Sequence, residues 1–436
     1  MERAGPPMRE LLDASPWRRG HTILFAVVAA NYFLDGVMFS VAPLLLYLVA
    51  PTEVAAAIFA ANLLAEAAGA VLLGLLADRL GRRVMFAASL ALEVAGLLVV
   101  AAAYRSAAAL LVGTSMMTFG IGGEFGAAYA AIAELSPARH RGKALLLATN
   151  FWNIGAAAIA SLTLYYGRLA SSVDAQVRML LLSALGTAVV AGLARFRVPE
   201  SPRWLASRGR LGEAVEWVRR LTGHGGPVGV EAGGAGGVGL GEALRRYRFR
   251  LAVLAVVTVA QYATYDMAAY YLPYAPGFAF GEGAVGYVVF YANLGASLGG
   301  LLLAPLIDRS RLASALASFA LGSATAAALA AAHYSGSPAA FYAALFANAV
   351  FSEWAWASLS VLQSELFPTG VRASVVGLLT SLQGLVGAAI VYVSLHMSVG
   401  AMLASIVALW LAGLAASAAW RLRGVETAGR SVDELA

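Results

Sequence analysis

Six carboxylate side chains lie inside long apolar segments, where an unpaired charge is costly. They are Asp35, Glu66, Glu93, Glu124, Asp266 and Glu353. At a rise of about 1.5 Å per residue, Glu124 and Glu353 lie about 15 and 18 Å from the ends of their segments, and Asp35 and Asp266 about 22 to 24 Å. A carboxylate at such depths can take up and release a proton near neutral pH, which is the chemistry of proton coupling.

We predict proton coupling at Asp35, Glu124 and Asp266. None of the six acids has an obvious basic partner in the apolar core, so we expect them to be unpaired. The alternative for each acid is a neutral, hydrogen-bonded carboxyl group that faces another helix. We favour that structural interpretation for Glu66 and Glu93, whose segments should flank a central cavity.

Amide, acidic and aromatic side chains at similar depths predict a substrate site. Its candidate residues are Asn31, Gln261, Tyr265, Tyr270, Glu353, Trp354 and Trp356. Aromatic rings can stack on a ring-shaped solute or hold a cation, and amides can form hydrogen bonds. No Lys or Arg accompanies them, which counts against a permanently anionic substrate. The alternative for any one aromatic residue is helix packing or a place at the membrane interface.

The elements that must position these side chains are membrane-spanning helices. The chain has 436 residues, of which 60% are hydrophobic and 12% charged, and this charged fraction is about half that of a usual soluble protein. Apolar runs predict an all-α membrane protein with twelve transmembrane helices. The runs lie near residues 20 to 49, 53 to 77, 84 to 104, 107 to 134, 143 to 167, 177 to 196, 249 to 275, 282 to 307, 312 to 334, 337 to 366, 371 to 396 and 399 to 422.

A shift of the sequence by 231 residues aligns polar side chains of the first half with those of the second. The pairs include Asp35 with Asp266, Asn62 with Asn293, Gly69 with Gly300, Glu134 with Glu365, Pro137 with Pro368, Arg141 with Arg372 and Thr149 with Thr380. Because each half holds an even number of spans, we expect two six-helix bundles of the same orientation, related by a pseudo-twofold axis.

The repeat predicts five regions. They are a cytosolic tail at 1–19, a bundle at 20–196, a cytosolic linker with short amphipathic helices at 197–248, a second bundle at 249–422 and a cytosolic tail at 423–436. Within the linker, GEAVEWVRRL at 212–221 has the pattern of an amphipathic helix.

The positions of the basic residues predict the orientation. Of the 30 Lys and Arg residues, only Arg105, Arg168 and Arg178 would lie outside if both termini are cytoplasmic. We therefore predict a multi-pass protein of the cell membrane that contacts lipid and functions as a monomer. The basic residues form no continuous face, so we expect no nucleic-acid partner. With no Cys, no metal-ligand spacing among five His and no nucleotide motif in a suitable context, we expect no cofactor and no metal.

Charged motifs recur at the predicted cytoplasmic ends of the helices. The sequence GLLADRLGRR at 74–83 joins spans two and three, where Gly81 permits a tight turn and Asp78 can cap a helix or pair with an Arg. The sequence LIDRSR at 306–311 is a degenerate copy without the glycines, so the sequence gives less support for a gating role there.

A second pair of motifs is ELSPARHRG at 134–142 and ELFPTGVR at 365–372, in which an Arg follows the Glu by seven residues. Such Glu and Arg pairs at a wet surface are individually weak, which suits a gate that opens repeatedly. The predicted gate residues are Gly74, Asp78, Arg79, Gly81, Arg82, Glu134, Arg141, Glu200, Arg203, Asp308, Arg309, Glu365 and Arg372.

The loop at 74–83 resembles the signature loop of the major facilitator superfamily. PESPRWL at 199–205 and VETAGRSVDEL at 425–435 resemble motifs of its sugar porters, and GIGGE at 120–124 is most similar to the branch of niacin transporters and synaptic-vesicle proteins. The resemblance implies the twelve-helix fold and solute transport. It also places Asp35 where proton-coupled sugar porters carry an Asp.

Helix seven of the sugar porters resembles this sequence at Gln261, Tyr270 and Tyr271, but Asp266 replaces their Asn. That replacement argues against recognition of a plain sugar. We predict a proton-coupled symporter of a small neutral or cationic organic solute, such as a sugar, polyol, niacin-like compound or organic cation, working by alternating access. The alternatives are an uncoupled facilitative carrier and a membrane sensor or scaffold with the same fold. An enzyme is not expected, because no nucleophile with its base is visible.

Overall fold

The computed structural model describes residues 5–195, 200–229, 239–281, 284–394 and 397–435. Helices dominate these residues, and their only strand-like pairing is one bridge between Pro7 and Gly229. The helices are α1 (Met8–Ala14), α2 (Arg19–Val49), α3 (Thr52–Leu80), α4 (Arg82–Ala103), α5 (Ala107–Leu135), α6 (Arg141–Thr149), α7 (Phe151–Leu169), α8 (Val173–Arg195), α9 (Pro202–Ser207), α10 (Leu211–Thr222), α11 (Leu240–Arg246), α12 (Arg248–Asp266), α13 (Val285–Leu303), α14 (Arg311–Tyr334), α15 (Pro338–Glu365), α16 (Arg372–Ser394), α17 (Val399–Arg423) and α18 (Val432–Leu435).

Ten helical segments in the described residues are long and apolar enough to cross a membrane. They are Arg19–Leu46, Val54–Leu80, Arg82–Ala103, Ala107–Leu135, Arg141–Leu169, Val173–Arg195, Arg248–Tyr271, Arg311–Tyr334, Arg372–Val393 and Val399–Arg423. The predicted spans near 282–307 and 337–366 are not among them. The apolar part of α13, Phe290–Leu303, is short. Helix α15 is continuous, but polar residues such as Asn348 and Glu353 interrupt its apolar sequence.

Serine side chains mark where several long helices begin. Ser106, Ser310, Ser337 and Ser398 each accept a hydrogen bond from the backbone N–H three residues later. These caps satisfy amides that the helix itself leaves free, and so fix the first turn. At the other end of α12, a π-helical turn at Met267–Tyr271 directly follows Asp266. Such turns redirect the side chains around them and are frequent at functional sites.

The buried apolar residues form two large clusters. One draws mainly on helices before residue 228, with a few residues from the second half, and the other lies wholly between residues 243 and 420. Helices α3 and α16 join the halves closely. A Cβ added at Gly377 would lie 2.0 Å from the Ala70 carbonyl oxygen, and one at Gly384 would lie 2.3 Å from that of Leu63. Glycine therefore permits this backbone contact between the halves.

Short helices cover the end of the molecule where the charged motifs lie, which we call the predicted cytoplasmic face. The predicted amphipathic helix is confirmed as α10, whose Ala214, Val218 and Leu221 are buried. The predicted tails also contain helices, α1 and α18. The side chain of Leu12 on α1 is fully buried, which explains why this tail packs onto the protein.

Candidate functional site

Three of the six intramembrane acids meet inside the first half. Asp35 on α2, Glu93 on α4 and Glu124 on α5 each place a carboxylate oxygen within 4.8 Å of the other two. Arg195, the last residue of α8, reaches all three. Its Nη1 lies 2.5 Å from Oε1 of Glu124, and its Nη2 lies 3.8 Å from Glu93 and 3.9 Å from Asp35. We call these four residues the arginine-paired cluster.

The expectation that the acids lack a basic partner is therefore wrong for this cluster. Arg195 lies at the end of the predicted span near 177 to 196, but its guanidinium points inward and its side chain is 4% exposed. The sequence contains a signal for this position, because Arg195 continues the buried face formed by Ala184, Ala188 and Ala191. Such spacing of three and four residues keeps side chains on one side of a helix.

Two further contacts hold the guanidinium in place. Nε of Arg195 donates to Oδ1 of Asn31 at 2.7 Å, and Nη1 donates to the Phe86 carbonyl oxygen at 2.6 Å. Asn31, predicted to bind substrate, thus binds Arg195 of the cluster. No hydrogen-bond donor in the described part of the chain reaches either carboxyl oxygen of Glu93. If all three acids were ionised, two negative charges would remain unbalanced, and buried charge of that kind is costly.

The other three acids lie where the halves meet, and we call Glu66, Asp266 and Glu353 the interface acids. Glu66 on α3 belongs to the stretch between Leu63 and Ala70 that packs on α16. Tyr262, one turn before Asp266 in the opposite half, approaches the same point of α16 as Leu63, since a Cβ at Gly387 would lie 3.1 Å from Tyr262 and 3.0 Å from Leu63. Glu66 is 4% exposed, and its Oε2 has no hydrogen-bond partner among the described residues. The sequence had favoured a purely structural interpretation of Glu66.

Glu353 touches the first half through an amide. Nδ2 of Asn153 on α7 donates to Oε2 of Glu353 at 3.3 Å. The neighbouring tryptophans make different contacts. Nε1 of Trp354 donates to the Gly299 carbonyl oxygen at 2.7 Å, within the second half. The ring of Trp356 packs edge-on against Phe125 of the first half, with ring centres 6.2 Å apart.

The predicted ligands on α12 lie beside the interface acids. Nε2 of Gln261 donates to Oγ of Ser352 at 3.2 Å, next to Glu353, and the hydroxyl of Tyr265 donates to Oδ1 of Asn293 at 3.1 Å. The rings of Tyr265 and Tyr270 meet edge-on, with centres 5.9 Å apart. Tyr265 interacts with both Asp266 and Glu353. The structure therefore brings these predicted residues together.

The residues predicted for proton coupling and for substrate binding are divided between two places. Asn31, Asp35 and Glu124 are enclosed within the first half, whereas the α12 residues and Glu353 lie at the interface. Neither of two apolar depressions on the helix surfaces contains a predicted site residue. One is lined by residues such as Val54 and Leu111, and the other by residues such as Ala330 and Leu411.

At the predicted cytoplasmic face, an Asp of each half caps a helix of the other. Oδ2 of Asp78 accepts from the backbone N–H of Ser374 at 2.8 Å and from its hydroxyl at 2.7 Å. In the same way, Asp308 accepts from the backbone N–H of Lys143, at the start of α6, at 3.1 Å. Asp308 of the degenerate copy thus makes the contact equivalent to that of Asp78. Burial raises the pKa of Asp308 above its usual range, although Arg311 and the Lys143 amide oppose the shift.

The two predicted glutamates each bind arginines of both halves. Oε1 of Glu134 lies 2.8 Å from Nη2 of Arg82 and 2.7 Å from Nη1 of Arg372. Oε1 of Glu365 lies 3.2 Å from Nη2 of Arg311 and 4.0 Å from Nη1 of Arg141. The sequence predicts pairs at a wet surface, but these side chains are fully buried. Buried ion pairs are costly to break one-sidedly, unlike surface pairs.

Two members of the predicted gate lie outside this network. Arg79 and Arg309 are exposed, and the buried contacts belong instead to Arg82 and Arg311, which follow them by three and two residues. Arg311 was not among the predicted gate residues.

At Gly74 the backbone passes so close to α16 that a Cβ would lie 2.8 Å from the Ala373 carbonyl oxygen.

Glutamates from the linker and the carboxyl-terminal tail cap two of the gate helices. Glu200 accepts from the backbone N–H groups of Arg82 at 3.1 Å and Arg83 at 3.3 Å. Gly81 precedes them with φ of 98°, and a Cβ there would meet Glu200 at 2.5 Å. Glu426 caps α14 equivalently, accepting from the N–H of Arg311 at 2.9 Å. Burial raises the pKa of Glu426, but hydrogen bonds from Ser310 and backbone amides outweigh it, so the pKa lies below its usual range.

The amino-terminal tail also contacts the predicted gate residues, which the sequence did not predict. Asp13 on α1 lies 2.6 Å from Nη2 of Arg141 and 2.8 Å from Nη2 of Arg203. Burial raises the pKa of Asp13, but Arg203 and Arg141 outweigh this effect and hold the pKa below its usual range. Arg203 also donates to the Glu134 carbonyl oxygen at 2.6 Å, and Arg141 donates to that of Arg430 at 3.1 Å. Residues from both tails therefore meet at Arg141.

Comparison of the sequence with known proteins assigns the chain to a family. A sequence profile described as sugar (and other) transporter matches residues 26–436. The inner membrane metabolite transport protein YgcS of Escherichia coli (strain K12) is 30% identical over 222 residues, 49% of this chain and 48% of that protein. The niacin transporter NiaP of Acinetobacter baylyi (strain ATCC 33305 / BD413 / ADP1) is 32% identical over 163 residues, 37% of this chain and 35% of that protein. The chain thus spans about half or less of these curated relatives.

A solved structure is similar over a longer range. The proton:xylose symporter XylE of the major facilitator superfamily, from E. coli, superposes with a TM-score of 0.78 at 18% identity. The superposition covers 95% of this chain and 99% of that one. At that identity the likeness shows a shared fold.

Proposed function

Because the chain belongs to the sugar (and other) transporter family, within the major facilitator superfamily, we propose that it is a proton-coupled symporter of a small neutral or cationic organic solute. It works by alternating access in the cell membrane, as a monomer with both termini in the cytoplasm. The family is one of transporters, which agrees with the prediction that the chain is not an enzyme.

We propose that the chain forms twelve transmembrane helices in two six-helix bundles. The two apolar clusters support two bodies. The equivalent contacts of Asp78 and Asp308 support a pseudo-twofold relation between them, because each caps a helix of the other half. On this proposal α13 and α15 also cross the membrane, and their polar residues face the interface rather than lipid.

The arginine-paired cluster is the main support for proton coupling. Three carboxyl groups share one guanidinium, so the cluster holds more acid than its arginine can neutralise. Protons are the simplest additional positive charge. We propose that Asp35 and Glu124 bind and release the coupled proton, and that Arg195 keeps the remaining charge paired in both states.

The contacts at the gate support a gate that opens without leaving a buried charge unpaired. Contacts that cross between the halves, such as Glu134 to Arg372 and Asp78 to Ser374, must break when the predicted cytoplasmic face opens. The pairs of Glu134 with Arg82 and of Glu365 with Arg311 lie within one half and can persist. Each glutamate therefore keeps one guanidinium throughout the cycle, which lowers the cost of opening.

We propose substrate contacts for Gln261, Tyr265, Tyr270, Glu353, Trp354 and Trp356. They lie on helices of the second half, and Glu353 and Trp356 already contact the first half. A solute bound between the halves would contact both, and alternating access requires a binding site at such a boundary.

Proteoliposomes that contain a pH-sensitive dye test this function. Addition of sugars, polyols, nicotinate, nicotinamide and organic cations should identify a solute whose entry acidifies the interior. With that solute, Asp35→Asn should abolish acidification and accumulation but retain exchange. Glu213→Gln, at an exposed pair with Arg210, is the matched control and should behave as the parent.

The uncoupled carrier gives a different result in the same vesicles. If solute enters without acidification and Asp35→Asn transports at the parental rate, the carrier is facilitative and the coupling proposal is wrong. If no solute in the set enters, the sensor or scaffold interpretation gains weight. The closely packed network at the gate favours a moving transporter over that interpretation.

A further inference from the structure

Unlike Asp78, Glu134, Asp308 and Glu365 of the gate, the interface acids have no basic partner among the described residues. We infer that the substrate is an organic cation with N–H donors, a protonated amine, held between Glu66 and Asp266. This inference rests on the proposed transport function and narrows its substrate class. It assigns Asp266 to the substrate rather than to the proton.

The first observation is the placement of the two carboxylates. Glu66 lies on α3 one turn after Leu63, and Asp266 lies at the end of α12 one turn after Tyr262. Leu63 and Tyr262 both approach α16 at Gly387, where a Cβ would lie 3.0 Å from Leu63 and 3.1 Å from Tyr262. No basic side chain acts on Glu66, Asp266 or Glu353 in the described part of the chain. Two like charges that face each other across a boundary attract a cation that joins the halves.

A second observation is a surplus of hydrogen-bond acceptors. Oε2 of Glu66 and Oε1 of Gln261 are buried without a donor among the described residues, and both side chains are more than nine-tenths buried. Gln261 reaches Ser352, which adjoins Glu353 on α15. Buried acceptors without donors are unfavourable. A protonated amine supplies both the donors and the charge, whereas a sugar supplies only donors and an anion would repel the carboxylates.

The aromatic side chains here have the chemistry to hold a cation. Tyr262 lies one turn before Asp266 and interacts with it, and its ring edge comes close to Gly387 of α16. Tyr265 and Tyr270 meet edge-on nearby. The faces of such rings attract ammonium groups, most strongly where water is excluded. The aromatic residues and the acids thus favour the same class of ligand.

Matched pairs of amine and alcohol test the inference on purified full-length protein. The panel runs from ethylamine with ethanol, through phenethylamine with 2-phenylethanol, to tryptamine with tryptophol. The unfolding temperature is measured at increasing ligand concentration, because a ligand that binds the folded state raises it. We expect at least one amine to raise this temperature and its alcohol not to do so.

The variants then locate the site. Glu66→Gln and Asp266→Asn should each weaken binding of that amine by about thirtyfold or more. Glu66→Asp, which keeps the charge, should retain measurable binding, and Glu213→Gln should bind as the parent does. Unfolding of each variant without ligand establishes that it is folded. Binding that survives in both neutral variants overturns the inference, as does a panel in which no amine binds or alcohols bind equally well.

Transport separates this inference from the proposed function. If the amine binds but does not enter proteoliposomes, the transport proposal fails and the cation site stands. If a neutral solute enters with protons and no amine competes with it, the transport proposal stands and the cation site is wrong.

Discussion

Two sets of three buried carboxylates lie in this protein, and they differ in how their charge is balanced. Asp35, Glu93 and Glu124 share Arg195 inside one half. The interface acids have no arginine or lysine acting on them in the described residues. The first set therefore carries its own counter-charge, while the second needs one from outside the chain.

Repeat-related residues belong to different sets. Asp35 and Asp266 are equivalent under the shift of 231 residues, yet only Asp35 lies beside an arginine. An acid inside one half moves with that body and can hold a proton through the cycle. An acid on the boundary loses or gains its opposite partner as the halves move, which suits a ligand that must be released.

The largest expected effect is that of Arg195→Met. Removing the only guanidinium of the cluster leaves three acids unpaired, which should cost about 3 to 5 kcal/mol of folding stability. Thermal unfolding in detergent should show a markedly lower midpoint, and Arg195→Lys should lie between this variant and the parent. A midpoint equal to that of the parent would show that the arginine does not balance the acids.

Replacing Asp by Asn at the two repeat-related positions, 35 and 266, should remove different steps of transport. Asp35→Asn should abolish proton-driven accumulation but leave solute binding intact, because it lies in the arginine-paired cluster. Asp266→Asn should abolish binding and exchange as well. Binding curves and counterflow in proteoliposomes measure the two properties separately. Identical behaviour of the two variants would remove the distinction between the sets.

A smaller effect is expected at the predicted cytoplasmic face, where Asp13 joins Arg141 and Arg203. Asp13→Asn should cost about 1 to 2 kcal/mol, because it weakens hydrogen bonds to charged groups. The folded pKa of Asp13 lies below its ordinary value of 3.8, so its contribution is complete above that pH and is lost as the pH falls through the folded pKa. The gap in unfolding midpoint between variant and parent should close on acidification. A gap independent of pH would contradict this pairing.

The smallest effect should come from Glu66→Gln without ligand. The change removes a buried charge that has no basic partner, so stability should stay within about 1 kcal/mol of the parent or rise. Glu124→Gln, which loses the closest contact of Arg195, should be less stable by comparison. If Glu66→Gln unfolded at a much lower temperature than Glu124→Gln, Glu66 would have a counter-charge in the folded protein.

Hydrophobic runs along the chain could predict most of the helices, and the spacing of charged residues at their ends could predict the gate motifs. It could not predict Arg195 in the cluster, since a basic residue at the end of a span usually faces the polar headgroups. Glu66 and Asp266 lie 200 residues apart, and only the packing of α3, α12 and α16 brings them together. Asp13 was missed because the short helix α1 becomes buried only against other elements.

The contact of both tails at Arg141 has a consequence for biosynthesis. Asp13 and Arg430, whose carbonyl oxygen binds the same guanidinium, are separated by more than four hundred residues. The complete set of contacts around Arg141 can form only after the segment from Asp13 to Arg430 has been made. A nascent chain therefore lacks part of these contacts until Arg430 has been synthesised.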